Sequence, residues 1–216
     1  MTRISKRLKA ITSYVAKDDK VVDVGCDHGL LSIYLIENNL VSKVIASDVN
    51  ENALKNAISN IEKRNLHIKT VLSDGIEKID LKDINTLIIS GMGTSTILHI
   101  LHDNKKLKKI NKLIIQANND HYILRENLNE KGYYLKEESY TYDKNKWYVT
   151  SLFVKSDNKN TIDVLKYGFL NNEDYNDYLL KKNYEILKKI PFSSFKAKFN
   201  RFKEIRNIKK AIYKSK

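Results

Sequence analysis

The chain has 216 residues, of which 42% are hydrophobic and 30% charged, a composition typical of a globular protein that buries a core. It contains no run of about 18 apolar residues, so no membrane-spanning helix is expected. The basic, amphipathic residues 1–17 lack the apolar segment of a secretory signal. The single cysteine, Cys26, excludes an internal disulfide framework and favours a cytoplasmic protein. No Cys and His residues have the spacing of metal ligands, so no metal is expected.

The formal net charge of +13 is unevenly distributed along the chain. Residues 161–216 contain 14 Lys and Arg against 6 Asp and Glu, whereas residues 1–160 contain 25 against 20. An excess of this kind attracts nucleic acid. The alternative is the lysine-rich composition that an AT-rich genome produces, which requires no anionic partner.

Strands and helices alternate between residues 20 and 132. A first amphipathic helix is predicted over residues 2–16, because Ile4, Leu8, Ile11 and Val15 recur at helical spacing. Short apolar strands follow at 21–24, 43–47, 68–72, 85–90 and 113–116, with helices at 30–38, 51–64, 94–101 and 121–131. Residues 133–142 and 147–154 alternate as a β-hairpin does. The pattern predicts an α/β, Rossmann-like doubly wound sheet, mostly parallel with an antiparallel edge hairpin, as a first domain over residues 1–156.

A second domain is predicted over residues 161–216, after a polar linker. Its apolar residues form two helical stripes separated by Pro191, the first comprising Tyr175, Tyr178, Leu179, Ile186, Leu187 and Ile190, the second comprising Phe192, Phe195, Phe199, Phe202, Ile205, Ile208 and Ile212. This predicts a coiled-coil-like helical hairpin with the phenylalanines in its core. The alternative is that they stack on bases. A basic face on the last helix favours phosphate contact over simple solvation.

Glycines and acids follow the first strand, in the segment Asp23-Val24-Gly25-Cys26-Asp27-His28-Gly29. In an open parallel sheet, ligands bind beyond the carboxyl ends of the strands. The dinucleotide fingerprint G-x-G-x-x-G is absent, because Asp27 stands at the second glycine, where its carboxylate would repel a pyrophosphate. An acidic loop suits a cationic cofactor such as S-adenosyl-L-methionine. The alternative is an ordinary strand-to-helix turn.

Acids also end the next two strands. Asp48, followed by Val49, is placed to accept the hydroxyls of a ribose, which identifies a nucleoside but no reaction. Asp74 could bind the exocyclic amine of an adenine while the Gly75 N–H meets the ring. Taken singly, each acid could equally cap a helix or form a turn.

The fourth strand ends in Ser90-Gly91-Met92-Gly93, whose small residues leave room for a planar base. The chain has no Asn/Asp-Pro-Pro-Tyr/Phe motif for gripping an exocyclic amine. It also lacks a Pro-Cys nucleophile for carbon methylation. Attack by a ring nitrogen needs neither device.

Several ordered segments together resemble one known family. They are Ile4-Ser5-Lys6-Arg7-Leu8, the Asp23–His28 segment, Ser73-Asp74-Gly75, Ile89-Ser90-Gly91-Met92-Gly93 and Gln116-x-Asn118. The chain resembles the bacterial tRNA adenine-22 N1-methyltransferase family (TrmK-like), which has the class I methyltransferase fold and a C-terminal coiled-coil extension. It departs from the family pattern at Cys26, Thr94 and Ala117.

The resemblance implies transfer of a methyl group from S-adenosyl-L-methionine to N1 of an adenine in tRNA. The expected cofactor-binding residues are Asp23, Gly25, Asp27, Asp48, Val49, Asp74, Gly75, Ser90 and Gly91, and the expected catalytic residues are Asp27 and His28. Arg3, Lys6 and Arg7 could grip RNA phosphates or form a solvated helix face, and no role is expected for the remaining histidines. We expect a monomer that binds tRNA, without metal or membrane. The alternatives are a methyltransferase for another RNA, DNA or a small molecule, and a non-catalytic RNA-binding module.

Overall fold

The computed structural model describes residues 1–215, without the side chain of Asn104. The chain folds as two compact units. The first comprises Met1–Asn160 and the second begins at Thr161.

A single seven-stranded sheet forms the centre of the first unit. Its strands are β1 (Lys20–Val24), β2 (Lys43–Asp48), β3 (Lys69–Leu72), β4 (Thr86–Met92), β5 (Lys112–Ala117), β6 (Tyr133–Asp143) and β7 (Lys146–Lys155). They lie in the order β3-β2-β1-β4-β5-β7-β6. The first five strands are parallel, and β7 pairs antiparallel with both β5 and β6. The predicted Rossmann-like sheet with an antiparallel edge hairpin is therefore confirmed.

Six helices belong to this unit: α1 (Lys6–Thr12), α2 (Leu30–Glu37), α3 (Glu51–Glu62), α4 (Thr94–Ile100), α5 (Asn104–Leu107) and α6 (His121–Glu130). The first is shorter than predicted, because Ser5 caps it by accepting a hydrogen bond of 3.4 Å from the Leu8 amide. Asn50 caps α3, its side-chain oxygen accepting hydrogen bonds from the Asn52 and Ala53 amides. The four-residue α5 was not predicted, since it is too short to show a hydrophobic period.

The core lies on both faces of the parallel strands. Val21, Val22, Ile88, Ile89 and Ile114 have no exposed surface, as expected of strands covered by helices on both sides. Burying each such side chain contributes about 1.5–3 kcal/mol. The chain moves outward from β1 to β2 and β3 on one side and to β4 and β5 on the other. The carboxyl ends of β1 and β4 therefore flank the point where the strand order reverses, which is where such sheets bind ligands.

The second unit consists of α7 (Ile162–Tyr167), α8 (Glu173–Lys189) and α9 (Phe195–Lys214). The two long helices match the predicted pair and pack against each other, with Arg201 Nη1 donating to Asn183 Oδ1 at 2.8 Å. The short α7 was not predicted. Asn172 caps α8 through a 2.8 Å hydrogen bond from the Tyr175 amide.

The prediction that the phenylalanine stripe forms the hairpin core is wrong. Phe192, Phe195, Phe199 and Phe202 are 88%, 76%, 60% and 57% exposed, whereas Ile205 and Ile208 are 4% and 2% exposed. With 3.6 residues per turn, the helical phenylalanines point about 120° around the axis from these two isoleucines. The stripe therefore comprises two different faces of α9, and only the isoleucine face packs inward.

Candidate active site

A cleft of about 390 Å³ opens at the carboxyl ends of β1 to β4. All ten residues that the sequence singled out as binding or catalytic lie around it: Asp23, Gly25, Asp27, His28, Asp48, Val49, Asp74, Gly75, Ser90 and Gly91. They come from the ends of four strands and the loops that follow them, which are separated along the chain. The parallel sheet brings them together because its strands all end at the same edge.

The loop after β1 is held against the end of β2. The amides of Gly25 and Cys26 both donate to the Ser47 carbonyl, at 2.8 and 2.9 Å. Gly25 has a φ of +73°, and a Cβ built on it would lie 2.0 Å from the Met92 side-chain methyl. The positive φ favours glycine at this position, and a larger residue would also force the flexible end of the Met92 side chain to move.

Asp23 lies at the floor of the cleft and is only 3% exposed. Ser32 Oγ donates a 2.7 Å hydrogen bond to Asp23 Oδ2. Burial raises the pKa of Asp23 to about 6, and the nearby negative charge of Asp48 adds to the rise, while the bond from Ser32 opposes it. A cation that entered the cleft would favour the ionised form of this carboxyl group.

Asp48 fixes the relation between the first two strand ends. Its Oδ2 accepts from the Asp27 amide at 3.0 Å and its Oδ1 accepts from the Asn50 amide at 2.9 Å. Each carboxylate oxygen has a second acceptor position, so the group can still receive two hydroxyl donors. The adjacent Val49 is 67% exposed, an apolar surface beside that acid.

Asp74 and Gly75 follow β3 at the other end of the cleft. The Ser73 amide donates to the Asp48 carbonyl at 3.0 Å, which ties this turn to β2. Gly75 has a φ of +52°, and a Cβ there would lie 3.1 Å from Ile100. His99, for which no role was expected, has its Nε2 3.7 Å from Asp74 Oδ2.

Asp27 and His28 lie at the rim of the cleft. His28 Nε2 is 3.6 Å from Asp27 Oδ1, and the two side chains are 53% and 73% exposed, respectively. The His28 carbonyl accepts from the Asn60 side chain at 3.0 Å, which anchors the loop to α3. Both groups are therefore accessible to a large substrate that covers the opening.

A backbone irregularity shapes the end of β4. The pairing with β5 shifts between Ser90 and Met92, and Gly91 has a φ of +78°. Asn118 holds this segment, since its side-chain amide donates to the Gly91 carbonyl at 2.7 Å and its backbone amide donates to the Met92 carbonyl at 2.9 Å. The loop after β5 thus supports the glycine edge.

Arg7 lines the cleft, whereas Arg3 and Lys6 are not among its lining residues. Its Nη1 donates to Gln116 Oε1 at 3.3 Å, and its guanidinium lies 5.7 Å from the Tyr148 ring centroid. Gln116 is fully buried and also donates to the Arg7 carbonyl at 3.1 Å. Arg7 is the one permanent cation among the lining residues, which also include four carboxylates. Nothing in the sequence around Arg7 predicted that it, and not Arg3, would line the cleft.

Cys26 is the single cysteine of the chain, and it lies in the lining of the cleft. Cys26 is 7% exposed, and burial raises the pKa of its thiol, so the reactive thiolate is disfavoured. Within residues 1–215, no group of three or more His, Cys, Asp and Glu side chains could hold a metal ion. In the same range, no helix is both long and apolar enough to cross a lipid bilayer.

Comparison with known proteins agrees with this geometry. Residues 4–150 match the family model of a methyltransferase domain. The tRNA (adenine(22)-N(1))-methyltransferase of Bacillus subtilis is 33% identical over 139 residues, which are 63% of this chain and 58% of that protein. The chain thus spans less than two thirds of the length of this curated relative, and 65% of a second one from Mycoplasma genitalium.

Solved structures align over nearly the whole chain. M. capricolum TrmK, in complex with S-adenosyl-homocysteine, is 30% identical with a TM-score of 0.83, covering 97% of each chain. A Streptococcus pneumoniae structure is 28% identical with a TM-score of 0.89, covering 97% of this chain and 100% of that one. The sheet, the acidic cleft and the domain match define a class I methyltransferase. Within that class, the chain belongs to the bacterial tRNA (adenine-22-N1)-methyltransferase family, TrmK.

Proposed function

We propose that this protein transfers a methyl group from S-adenosyl-L-methionine to N1 of an adenine in tRNA, at position 22 by analogy with its relatives. The observation that carries the proposal is the convergence of Asp23, Asp48 and Asp74, from three successive strand ends, in one cleft. Such a set of carboxylates suits a nucleoside that carries positive charge. The net charge of the second unit favours RNA over a small molecule as the acceptor.

The residues of the cleft fit the methyl donor part by part. Asp48 would accept the ribose hydroxyls, Asp74 the adenine amine, and Gly75 would place its amide at the ring. Asp23 and Asp27 would lie near the ammonium group, with Gly25 allowing the backbone close approach. Val49 supplies an apolar contact, and Ser90 and Gly91 line the side on which the acceptor enters. When bound, the donor supplies a methyl group made electrophilic by its sulfonium.

The acceptor base needs access to its Watson–Crick edge. N1 is hidden in a paired or stacked adenine, so the nucleotide must be unpaired or flipped toward Gly91. N1 is neutral and has its own lone pair, so no base is needed to activate it. Methylation makes the ring cationic. Asp27 and His28, exposed at the rim, would stabilise that charge or accept a proton from N6, and most of the rate would come from positioning.

The direct test is to incubate the purified protein with methyl-labelled donor and unmodified total tRNA, and then to analyse the digested nucleosides. Label in 1-methyladenosine supports the proposal, and mapping gives the position. Label in another nucleoside would show that the protein methylates a different base atom and would contradict the assignment to N1 of adenine. Absence of label, with donor binding confirmed by calorimetry, would contradict methyl transfer to tRNA. His28→Ala, with normal donor affinity and lower kcat, would place His28 in the reaction.

We also propose that the protein acts in the cytoplasm as a monomer. The single cysteine is free and buried, in keeping with a reducing compartment. Sedimentation at micromolar concentrations should give a mass near 25.1 kDa. A concentration-dependent increase toward twice that mass would contradict the monomer.

A further inference from the structure

One face of α9 combines exposed aromatic rings with cations. Phe195, Phe199 and Phe202 lie on consecutive turns, and Phe192 extends the row beyond the start of the helix. Each is more than half exposed, although large apolar side chains are normally buried. The inward face of the helix is already occupied by Ile205 and Ile208, so folding of this unit does not account for the rings.

The cations lie on the same face as the rings. With a rotation of about 100° per residue, Lys196, Lys203, Arg206 and Lys210 all project within about 60° of the direction of Phe199. Their side chains are exposed. From position 192 to 214 the chain has eight Lys and Arg but one acid, Glu204. The face therefore carries a nearly uniform positive charge between its rings.

A groove of about 380 Å³ runs along this face beside α8, lined in part by Tyr184, Phe199, Phe202 and Lys209. Lys209 Nζ lies 5.5 Å from the Tyr184 ring centroid, and Lys198 Nζ lies 4.8 Å from that of Phe192. Rings and ammonium groups thus alternate at close range over the surface.

We propose that this aromatic–basic face, defined by Phe192, Phe195, Phe199, Phe202, Lys203, Arg206 and Lys210, binds unpaired bases of tRNA by stacking, with its cations on the flanking phosphates; this rests on the proposed function. Stacking platforms interleaved with cations are the arrangement by which proteins bind single-stranded nucleic acid. A second protein chain would gain little from so many like charges, whereas RNA loops offer both unstacked bases and phosphates. The charge of the face therefore favours RNA as its occupant.

The test compares full-length variants in equilibrium binding to an unmodified tRNA transcript. Phe199→Leu with Phe202→Leu keeps an apolar side chain but removes both rings, and should weaken tRNA binding about tenfold or more. Phe199→Tyr with Phe202→Tyr keeps the rings and should bind within about twofold of the wild type. Affinity for S-adenosyl-homocysteine should be unchanged in both, which controls for folding. The stacking proposal would be overturned if the leucine variant bound tRNA as tightly as the wild type. It would also be overturned if the leucine and tyrosine variants lost equal affinity for tRNA.

The cations are tested by salt dependence. Replacing Lys203, Arg206 and Lys210 with Gln should lower the slope of log Kd against log salt by about two to three. The matched control replaces Lys105, Lys108 and Lys109, three exposed lysines of the first unit, and should change the slope less. If the two triple variants have equal slopes of log Kd against log salt, the salt dependence reflects only the overall charge of the protein. That result would overturn the assignment of phosphate contacts to Lys203, Arg206 and Lys210.

Two further outcomes keep the proposals separate. In the first, the wild type self-associates, the leucine variant does not, and the two bind tRNA equally well. The face would then be an interface between copies of this chain, and the inference would fail. If no methyl group reaches tRNA but binding still depends on the rings, the proposed function fails and this inference stands.

Discussion

Ser32 and Asp23 form a buried hydrogen-bonded pair beneath the cleft, with 2.7 Å between Ser32 Oγ and Asp23 Oδ2. Burial nevertheless raises the pKa of Asp23 from its ordinary 3.8 to about 6. Between these two pH values, the folded protein holds a proton that the unfolded chain has released. The free energy of unfolding due to this group therefore falls as the pH rises through that window, and levels off above about pH 6.

The same ionisation should govern binding of the methyl donor's product. If Asp23 binds the ammonium group of S-adenosyl-homocysteine as proposed, the affinity of this product should rise about tenfold from pH 5 to pH 7 and then level off. Calorimetric Kd values across this range provide the measurement. In Asp23→Asn the affinity should be weaker and nearly independent of pH. A wild-type profile as flat as that of the variant would remove Asp23 from the binding site.

Replacement of Asp48 should affect the cofactor more than the fold. In Asp48→Asn, one oxygen acceptor becomes a donor and the charge is lost, so ribose hydroxyls find a poorer partner. We expect S-adenosyl-homocysteine to bind about 100-fold more weakly, as measured by calorimetry. Asp83→Asn, which removes a surface acid 3.5 Å from Lys43, serves as the control and should bind normally. Equal affinities in the two variants would argue against a ribose contact.

Gly25→Ala should impair the cleft through two separable effects. A Cβ at this position overlaps the Met92 side-chain methyl at 2.0 Å, and the φ of +73° is strained for alanine by about 1–2 kcal/mol. We expect lower stability in urea and at least tenfold weaker cofactor binding. Adding Met92→Ala should relieve the overlap but leave the backbone strain, so stability should recover only in part. Full recovery would show that the steric contact alone matters.

Arg7 lines the cleft, and we expect its guanidinium to pair with the carboxylate of the methyl donor. Arg7→Met should weaken S-adenosyl-homocysteine binding about tenfold, yet leave binding of 5′-methylthioadenosine, which lacks the amino-acid part, unchanged. Arg3→Met, at an exposed position outside the lining of the cleft, is the matched control. If cofactor binding is unaffected in Arg7→Met while tRNA binding weakens, the guanidinium contacts an RNA phosphate instead.

The strands and their ends were predictable because apolar runs mark buried strands, and parallel strands end at a common edge. This common edge is what brings Asp23, Asp48, Asp74 and Gly91 around one cleft. Side-chain partners were not predictable in the same way. Arg7 is held by Gln116, more than 100 residues away along the chain, through a contact that no local pattern reveals.

The phenylalanine stripe shows a different limit of sequence patterns. Spacings of three and four residues indicate that side chains share a helix face, but they do not indicate whether that face packs inward. Ile205 and Ile208 continue the spacing of Phe199 and Phe202 while drifting around the axis, so one apparent stripe joined two faces.

The buried state of Cys26 also has a practical consequence. It is the single cysteine of the chain, it is 7% exposed, and its thiol resists ionisation. A maleimide dye should therefore react selectively with a cysteine introduced at an exposed position, such as Ser193→Cys beside the start of α9. The native protein provides a nearly silent background for fluorescent reporters of RNA docking, without first removing a natural thiol.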